Sequence, residues 1–138
     1  MISVSNLRTV QTIYEAFGKG DIPTILEHVS ADVIWEAWAD NSAQKAGVPW
    51  LQNRPGKNGV MEFFQVIGTM QFHDFQVLSI MDGGHQIAAE ITLDVTLANG
   101  NRFQDEEMHL WTFNDEGKVT RLRHYADTHK HMKAVGIH

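Results

Sequence analysis

The stretch HQIAAEITLDVTLANGNRFQDEEMHLWTF, residues 85–113, decides the fold. Its first half places Ile87, Ala89, Ile91, Leu93, Val95 and Leu97 at every second position, with Ala88, Glu90, Thr92, Asp94 and Thr96 between them. A period of two is that of a strand with one apolar and one polar face. Asn99-Gly100 follows, the pair that best tolerates the left-handed conformation of a tight hairpin turn. The returning strand, Arg102–Asn114, carries Phe103, Asp105, Glu107, His109, Trp111 and Phe113 on one face. Working outward, Asp82-Gly83-Gly84 turns the chain between Met70–Asp82 and His85–Leu97. Asp115-Glu116-Gly117 does the same between Arg102–Asn114 and Lys118–Asp127. Four long antiparallel strands are predicted.

Upstream of Gly68 the period is that of a helix. Leu7, Val10, Ile13, Tyr14 and Phe17 form one stripe from Ser5 to Gly18, ended by Gly18 and Gly20. Asp21 caps a second helix, with Pro23 in its first turn and Ile22, Ile25, Leu26 and Val29 on its buried side. Asp32–Trp38 reads as a strand. Ala39–Lys57, broken by Pro49, Pro55 and Gly56, reads as a long loop of the kind that forms lids. A third helix fits Asn58–Ile67, with Val60, Phe63, Phe64 and Ile67 inward, and Thr128–Ala134 suits a last helical turn or two. Helices segregated from an antiparallel sheet make an α+β domain, here one domain over residues 1–138. A strongly twisted sheet curls into a cone-shaped barrel, the three helices of the N-terminal half close one side, and the enclosed pocket suits a small molecule.

Composition narrows the function. With 138 residues, 43% apolar and 20% charged, the chain has enough apolar surface for a core, which argues against disorder. The absence of cysteine excludes disulfides, thiolate metal sites and cysteine nucleophiles. A net charge of −6 with scattered Lys and Arg disfavours nucleic acid and anionic membranes as partners. No apolar run is long enough to span a bilayer, and Met1–Asn6 lacks the blocks of a secretory signal, so a cytoplasmic location is expected.

A set of short motifs then carries a resemblance. Tyr14-Glu15-Ala16-Phe17-Gly18-Lys19-Gly20-Asp21 is followed by Ala31-Asp32-Val33-Ile34-Trp35-Glu36, and then by Gly47-Val48-Pro49-Trp50 with Pro55-Gly56-Lys57-Asn58-Gly59-Val60 and Glu62-Phe63-Phe64. His109-Leu110-Trp111-Thr112-Phe113, Gly117-Lys118-Val119 and Tyr125-Ala126-Asp127-Thr128 complete it. In order and spacing the chain resembles the nuclear transport factor 2-like superfamily, and within it the SnoaL-like and ketosteroid isomerase-like proteins. That resemblance implies a cone shared by isomerases, polyketide cyclases, dehydratases, epoxide hydrolases and proteins without catalysis. Matched to steroid isomerases, the general-base position on the first strand is Ala37, with Glu36 and Asp40 beside it. The helix-1 hydroxyl donor falls on Ile13, next to Tyr14, and the oxyanion-binding acid falls on His109. Matched to limonene epoxide hydrolases through Arg123-His124-Tyr125-Ala126-Asp127, the reactive carboxylate falls on His124, and the preceding Arg and Asp fall on Ile91 and Leu93. The SnoaL-like cyclases use groups of the last two strands, where His109 and Asp127 stand. Members commonly dimerise through the outer sheet face, here Glu90, Thr92, Asp94, Glu106, Met108 and Leu110, so a homodimer is expected.

The residues themselves point the same way. Glu107 and His109 are about 7 Å apart along one strand face, close enough to share a substrate. A carboxylate beside an imidazole orients it or raises its pKa, as general acid–base catalysis requires. Glu107 could instead pair with Arg121 or Arg123 across the sheet. Asp127 ends the last strand as a second candidate base or as a helix cap, and Tyr14 offers a supporting hydroxyl. The candidate catalytic set is therefore His109, Glu107, Asp127 and Tyr14. The candidate ligand contacts are Trp35, Trp38, Trp50, Phe64, Trp111 and Tyr125, with Trp50 a possible lid over a flat, hydrophobic ligand. His124, His129 and His131 lack the spacing of a helical zinc pair, so no metal is expected. No phosphate loop and no nucleophile elbow occur. The expected function is binding of a small hydrophobic molecule with cofactor-free acid–base chemistry: isomerisation, enolisation or polyketide-type cyclisation. The alternative is a non-catalytic binding or dimerising domain.

Overall fold

A computed structural model describes residues 5–35 and 40–137. Among them the order is α1 (Asn6–Lys19), α2 (Ile22–Glu27), β1 (Val29–Trp35), α3 (Ser42–Lys45), a 3-10 turn (Pro49–Leu51), β2 (Arg54–Pro55) and α4 (Gly56–Ile67). The second half is β3 (Gln71–Asp82), β4 (Gln86–Thr96), β5 (Arg102–Phe113), β6 (Val119–Tyr125) and α5 (Thr128–Ala134). Six strands make one curled, unclosed sheet in the order β2-β1-β6-β5-β4-β3. The four long strands pair antiparallel, and β1 runs parallel to β6. The class is α+β, with helices on the concave side. Trp38, Ala37 and Glu36 lie outside the described residues.

Local chemistry explains the elements. Ser5 caps α1 by accepting from the Arg8 amide, and Gly20 closes it in the left-handed region at φ 69°. Asp21 caps α2 by accepting from the Thr24 amide, with Pro23 in the first turn where its missing N–H costs nothing. The α4 helix begins at Gly56, two residues before the expected start, because Pro55 serves as its N-cap directly from β2. Gly59 permits that junction: a Cβ there would stand 2.6 Å from the Arg54 carbonyl carbon. The expected long loop is broken by α3, the 3-10 turn and β2, and is an ordered wall rather than an open strap over its described part.

Among the described residues, two clusters form the interior. The first joins Val10, Ile13, Ile25, Val33, Trp35, Val60, Ile87, Trp111, Val119 and Leu122, so the helical stripes meet the concave face. Each fully buried aliphatic side chain there contributes about 1.5–3 kcal/mol. The second joins Ala43, Val48, Trp50, Leu51, Val95, Leu97 and Ala134, where α3, the 3-10 turn and α5 cover the far ends of β4 and β5. The polar residues between the two clusters define the site.

Candidate functional site

Register brings the chemistry together. Antiparallel pairing places His109 of β5 directly opposite His124 of β6, and Trp111 opposite Leu122. Glu107, two positions before His109, shares its face and reaches the same neighbour diagonally. Its Oε1 is 2.5 Å from His124 Nε2 and 3.8 Å from His109 Nε2, and its side chain is wholly buried. From α5, His131 places Nε2 at 2.7 Å from Asp105 Oδ2 and 3.0 Å from Glu107 Oε2. The N–H of His131 satisfies Asp105, and Glu107 Oε2 has no hydrogen-bond partner. Three imidazoles thus converge on one buried carboxylate.

The outer ring of partners sets the tautomers. Trp50 donates its indole N–H to His131 Nδ1 at 2.7 Å. An indole only donates, so Nδ1 of His131 is unprotonated and its proton sits on Nε2, facing the carboxylates. Trp111 likewise donates to the Tyr14 hydroxyl oxygen at 3.1 Å, and that hydroxyl lies 2.6 Å from His109 Nδ1. The tyrosine hydrogen is left to donate to Nδ1, so His109 carries its own proton on Nε2, toward Glu107. Trp111, Tyr14, His109 and Glu107 form one directed line.

The charges follow from these contacts. Burial raises the Glu107 pKa, but the His124 charge and the imidazoles of His109, His124 and His131 turned toward the carboxylate outweigh it and hold the carboxyl well below its usual range. Burial lowers the His109 pKa, with His124 adding to the effect against the pull of Glu107, so His109 is neutral at pH 7. Burial opposes protonation of His131, yet Asp105 and Glu107 more than compensate and raise its pKa. The Trp50 N–H works against that rise, because a second ring proton on Nδ1 would face another donor. Burial pushes the Tyr14 hydroxyl above its ordinary range, keeping it a donor.

Tyr14, Glu107, His109 and His124 line a cavity of about 80 Å³, whose other walls include Trp35, Phe63, Phe64, Phe72, Phe75 and Trp111. That volume holds two or three waters and is below the roughly 300 Å³ of ordinary ligand pockets. An open groove between α1 and β3 shares Tyr14, Phe17, Ile67, Phe72 and Phe75 with the cavity. The rings of Phe17, Phe72 and Phe75, with centroids 5.1–6.0 Å apart, separate cavity from groove.

The structure therefore brings His109, Glu107 and Tyr14 together, and places Trp35, Phe64 and Trp111 on the same cavity. It does not bring in Asp127, which is exposed and caps α5 by accepting from the Lys130 amide. Trp50, expected as a lid, is not among the residues lining the cavity: it packs in the second cluster, 6% exposed, and serves His131. Tyr125 alternates with His124 along β6 and hydrogen-bonds Arg123 on the opposite face, away from the cavity. Glu107 faces away from Arg121 and Arg123 and pairs with His124. His124, His131 and Asp105 are the members that sequence reasoning missed. The alternation of Leu122 and His124 with Arg121, Arg123 and Tyr125 is the signal that places His124 inside.

Among the described residues, two overlapping groups have metal-ligating chemistry: Glu107, His109 and His124, and Asp105, Glu107 and His131, each with candidate ligand atoms within 4.8 Å of one another.

A family model described as the SnoaL-like domain matches residues 10–122. None of the curated proteins matches. Among solved structures, an NTF2-like protein of unknown function from Burkholderia pseudomallei is 22% identical, with a TM-score of 0.79 over 97% of this chain and 99% of that one. TerC, co-crystallised with polyporic acid, is 24% identical, with a TM-score of 0.75 over 94% and 97%. An LEH-like epoxide hydrolase from M. tuberculosis is 18% identical, with a TM-score of 0.67 over 94% and 87%. At these identities the structures share the fold. The chain belongs to the SnoaL-like domain family.

Proposed function

We propose that this SnoaL-like chain binds a small, flat hydrophobic molecule in its cone and moves a proton on it without a cofactor, by isomerisation, enolisation or polyketide-type cyclisation. The observation that carries the reading is the position of His109. It stands on an aromatic cavity wall, held at Nδ1 by Tyr14 and facing ionised Glu107 at Nε2. Its base is Nδ1, freed when the carbonyl oxygen of an entering ligand takes the Tyr14 hydrogen; that nitrogen then accepts a proton from an acidic C–H and returns it to the enolate. Glu107 is enclosed by imidazoles and is assigned to orienting them and stabilising a cationic His109, rather than to touching substrate. Tyr14, kept protonated, is the donor for developing negative charge on a carbonyl oxygen. TerC, a protein of the same fold that was co-crystallised with polyporic acid, supports a small-molecule ligand.

The test is tryptophan fluorescence against a panel of aromatic polyketides, quinones, steroids and terpenoids, with products read by mass spectrometry. Trp35 and Trp111 line the cavity, so an occupant changes their emission. A changed product supports the proposal. Quenching with every ligand recovered intact overturns it in favour of a binding domain. We further assign the outer sheet face to a homodimer interface, which gel filtration at two chain masses supports and one chain mass contradicts.

A further inference from the structure

We propose that Glu107, His109 and His124 form a binding site for one divalent transition-metal ion, with the remaining coordination position opening into the cavity. The inference goes beyond the acid–base reading, which needs no ion.

Residue types and distances come first. Two imidazoles and a carboxylate suit ions of the zinc, cobalt, nickel and ferrous class. Glu107 Oε1 stands 2.5 Å from His124 Nε2 and 3.8 Å from His109 Nε2. Three such ligands, each about 2.0–2.1 Å from a tetrahedral ion, stand about 3.3 Å apart. One separation must open and the other close, each by less than about 1 Å, which small side-chain rotations supply.

A second observation points to a ligand. Glu107 Oε2 is buried without a hydrogen bond of its own: the nearest donor, the His131 N–H at 3.0 Å, is taken by Asp105. An ionised oxygen with idle lone pairs inside a wholly buried carboxylate is costly, and a cation beside it removes the cost. Asp105, its side chain 2% exposed, adds a second carboxylate behind the first. The site is built to favour positive charge.

The hydrogen-bond directions decide which imidazoles take part. His131 is excluded: its Nδ1 accepts from Trp50, so its Nε2 keeps a proton and cannot ligate. His109 is not excluded, because its Nδ1 partner is a hydroxyl. If the proton moves from Nε2 to Nδ1, the Tyr14 oxygen accepts it while still accepting from Trp111, and its own hydrogen turns toward the cavity. The ion then holds Nε2 of His109, Tyr14 holds its other nitrogen, and a partner of that kind strengthens a metal ligand. All three ligands line the cavity, so the open position faces it, the arrangement of a catalytic rather than a structural ion. Because the ion occupies Nε2 of His109, the ion-bound and proton-transferring forms exclude each other.

The full chain, stripped with a chelator, is titrated with Co²⁺ and with Zn²⁺ by calorimetry and visible absorption. The expected result is one ion per chain and the ligand-field bands of tetrahedral Co²⁺. Glu107→Gln should weaken binding at least about a hundredfold and Tyr14→Phe about tenfold, the latter through the second nitrogen of His109. His85→Gln, an exposed histidine outside the cavity, should leave it unchanged. Circular dichroism confirms folding of each variant, and His124→Gln replaces Glu107→Gln if the latter fails to fold. Absence of saturable binding by the wild type, or equal binding by a folded ligand variant, overturns the proposal. Turnover by the stripped protein is read separately and bears only on the acid–base reading.

Discussion

Glu107 and His124 meet at 2.5 Å between adjacent strands, in a contact from which solvent is excluded. Their side chains are 0% and 9% exposed. A buried carboxylate persists only where partners replace its water, and here histidines supply them from β5, β6 and α5. Glu107 is accordingly the hub to which His109 and His131 are also referred.

Replacing that hub keeps the shape and removes the charge. Glu107→Gln should lower unfolding free energy by at least about 1.5 kcal/mol, the lower end for a hydrogen bond to a charged group. Urea denaturation followed by circular dichroism measures it. Equal midpoints for the variant and wild type would contradict the placement of an ionised Glu107 in the interior.

Trp50→Phe separates the core role from a lid role. It retains an aromatic ring beside Phe103 and removes the N–H that His131 accepts. We expect a stability loss of about 1 kcal/mol with ligand affinity unchanged. A lid would show the reverse: unchanged stability and weaker binding.

Much of this was legible beforehand, and the residues say why. The alternation in β4 and β5 sets their faces, so the inward placement of Glu107, His109 and Trp111 follows from parity alone. The same parity on β6 places His124 on the inward face with Leu122. His131 could not be read that way, because its contact with Asp105 depends on how α5 folds back over β5. The parallel pairing of β1 with β6 has no local signature, since it joins segments about ninety residues apart. Asp127 was legible as a cap for the opposite reason: Thr128 and the helical tail follow it directly.

The aromatic partition between cavity and groove sets access. Phe75→Ala removes the ring that contacts Tyr14, Phe17 and Phe72. Ligands too large for a cavity of about 80 Å³ should then bind faster in stopped-flow fluorescence. Because Phe75 is only half-buried, the stability cost should stay below the roughly 3 kcal/mol of a fully buried ring. An unchanged association rate would place the entrance elsewhere.

Stability should also depend on acid through Asp94. Arg102 donates to both of its oxygens and Gln104 to one, which holds the carboxyl below its ordinary value of 3.8. A lowered folded-state pKa contributes stability that is fully present above the unfolded value and is lost as pH falls through the folded value. Asp94→Asn should therefore melt below the wild type at neutral pH, and the gap should close as pH drops beneath 3.8. A gap independent of pH would remove the ion pair from the account.

The central claim is proton transfer at His109. The direct measurement is solvent deuterium incorporation into a bound carbonyl compound, read by mass spectrometry with chelator-stripped protein in heavy water. The account predicts label at an acidic carbon, with His109→Gln slower by at least about a hundredfold while still folded and still quenched by ligand. Ligand that binds both proteins and takes up label no faster in the wild type would contradict it.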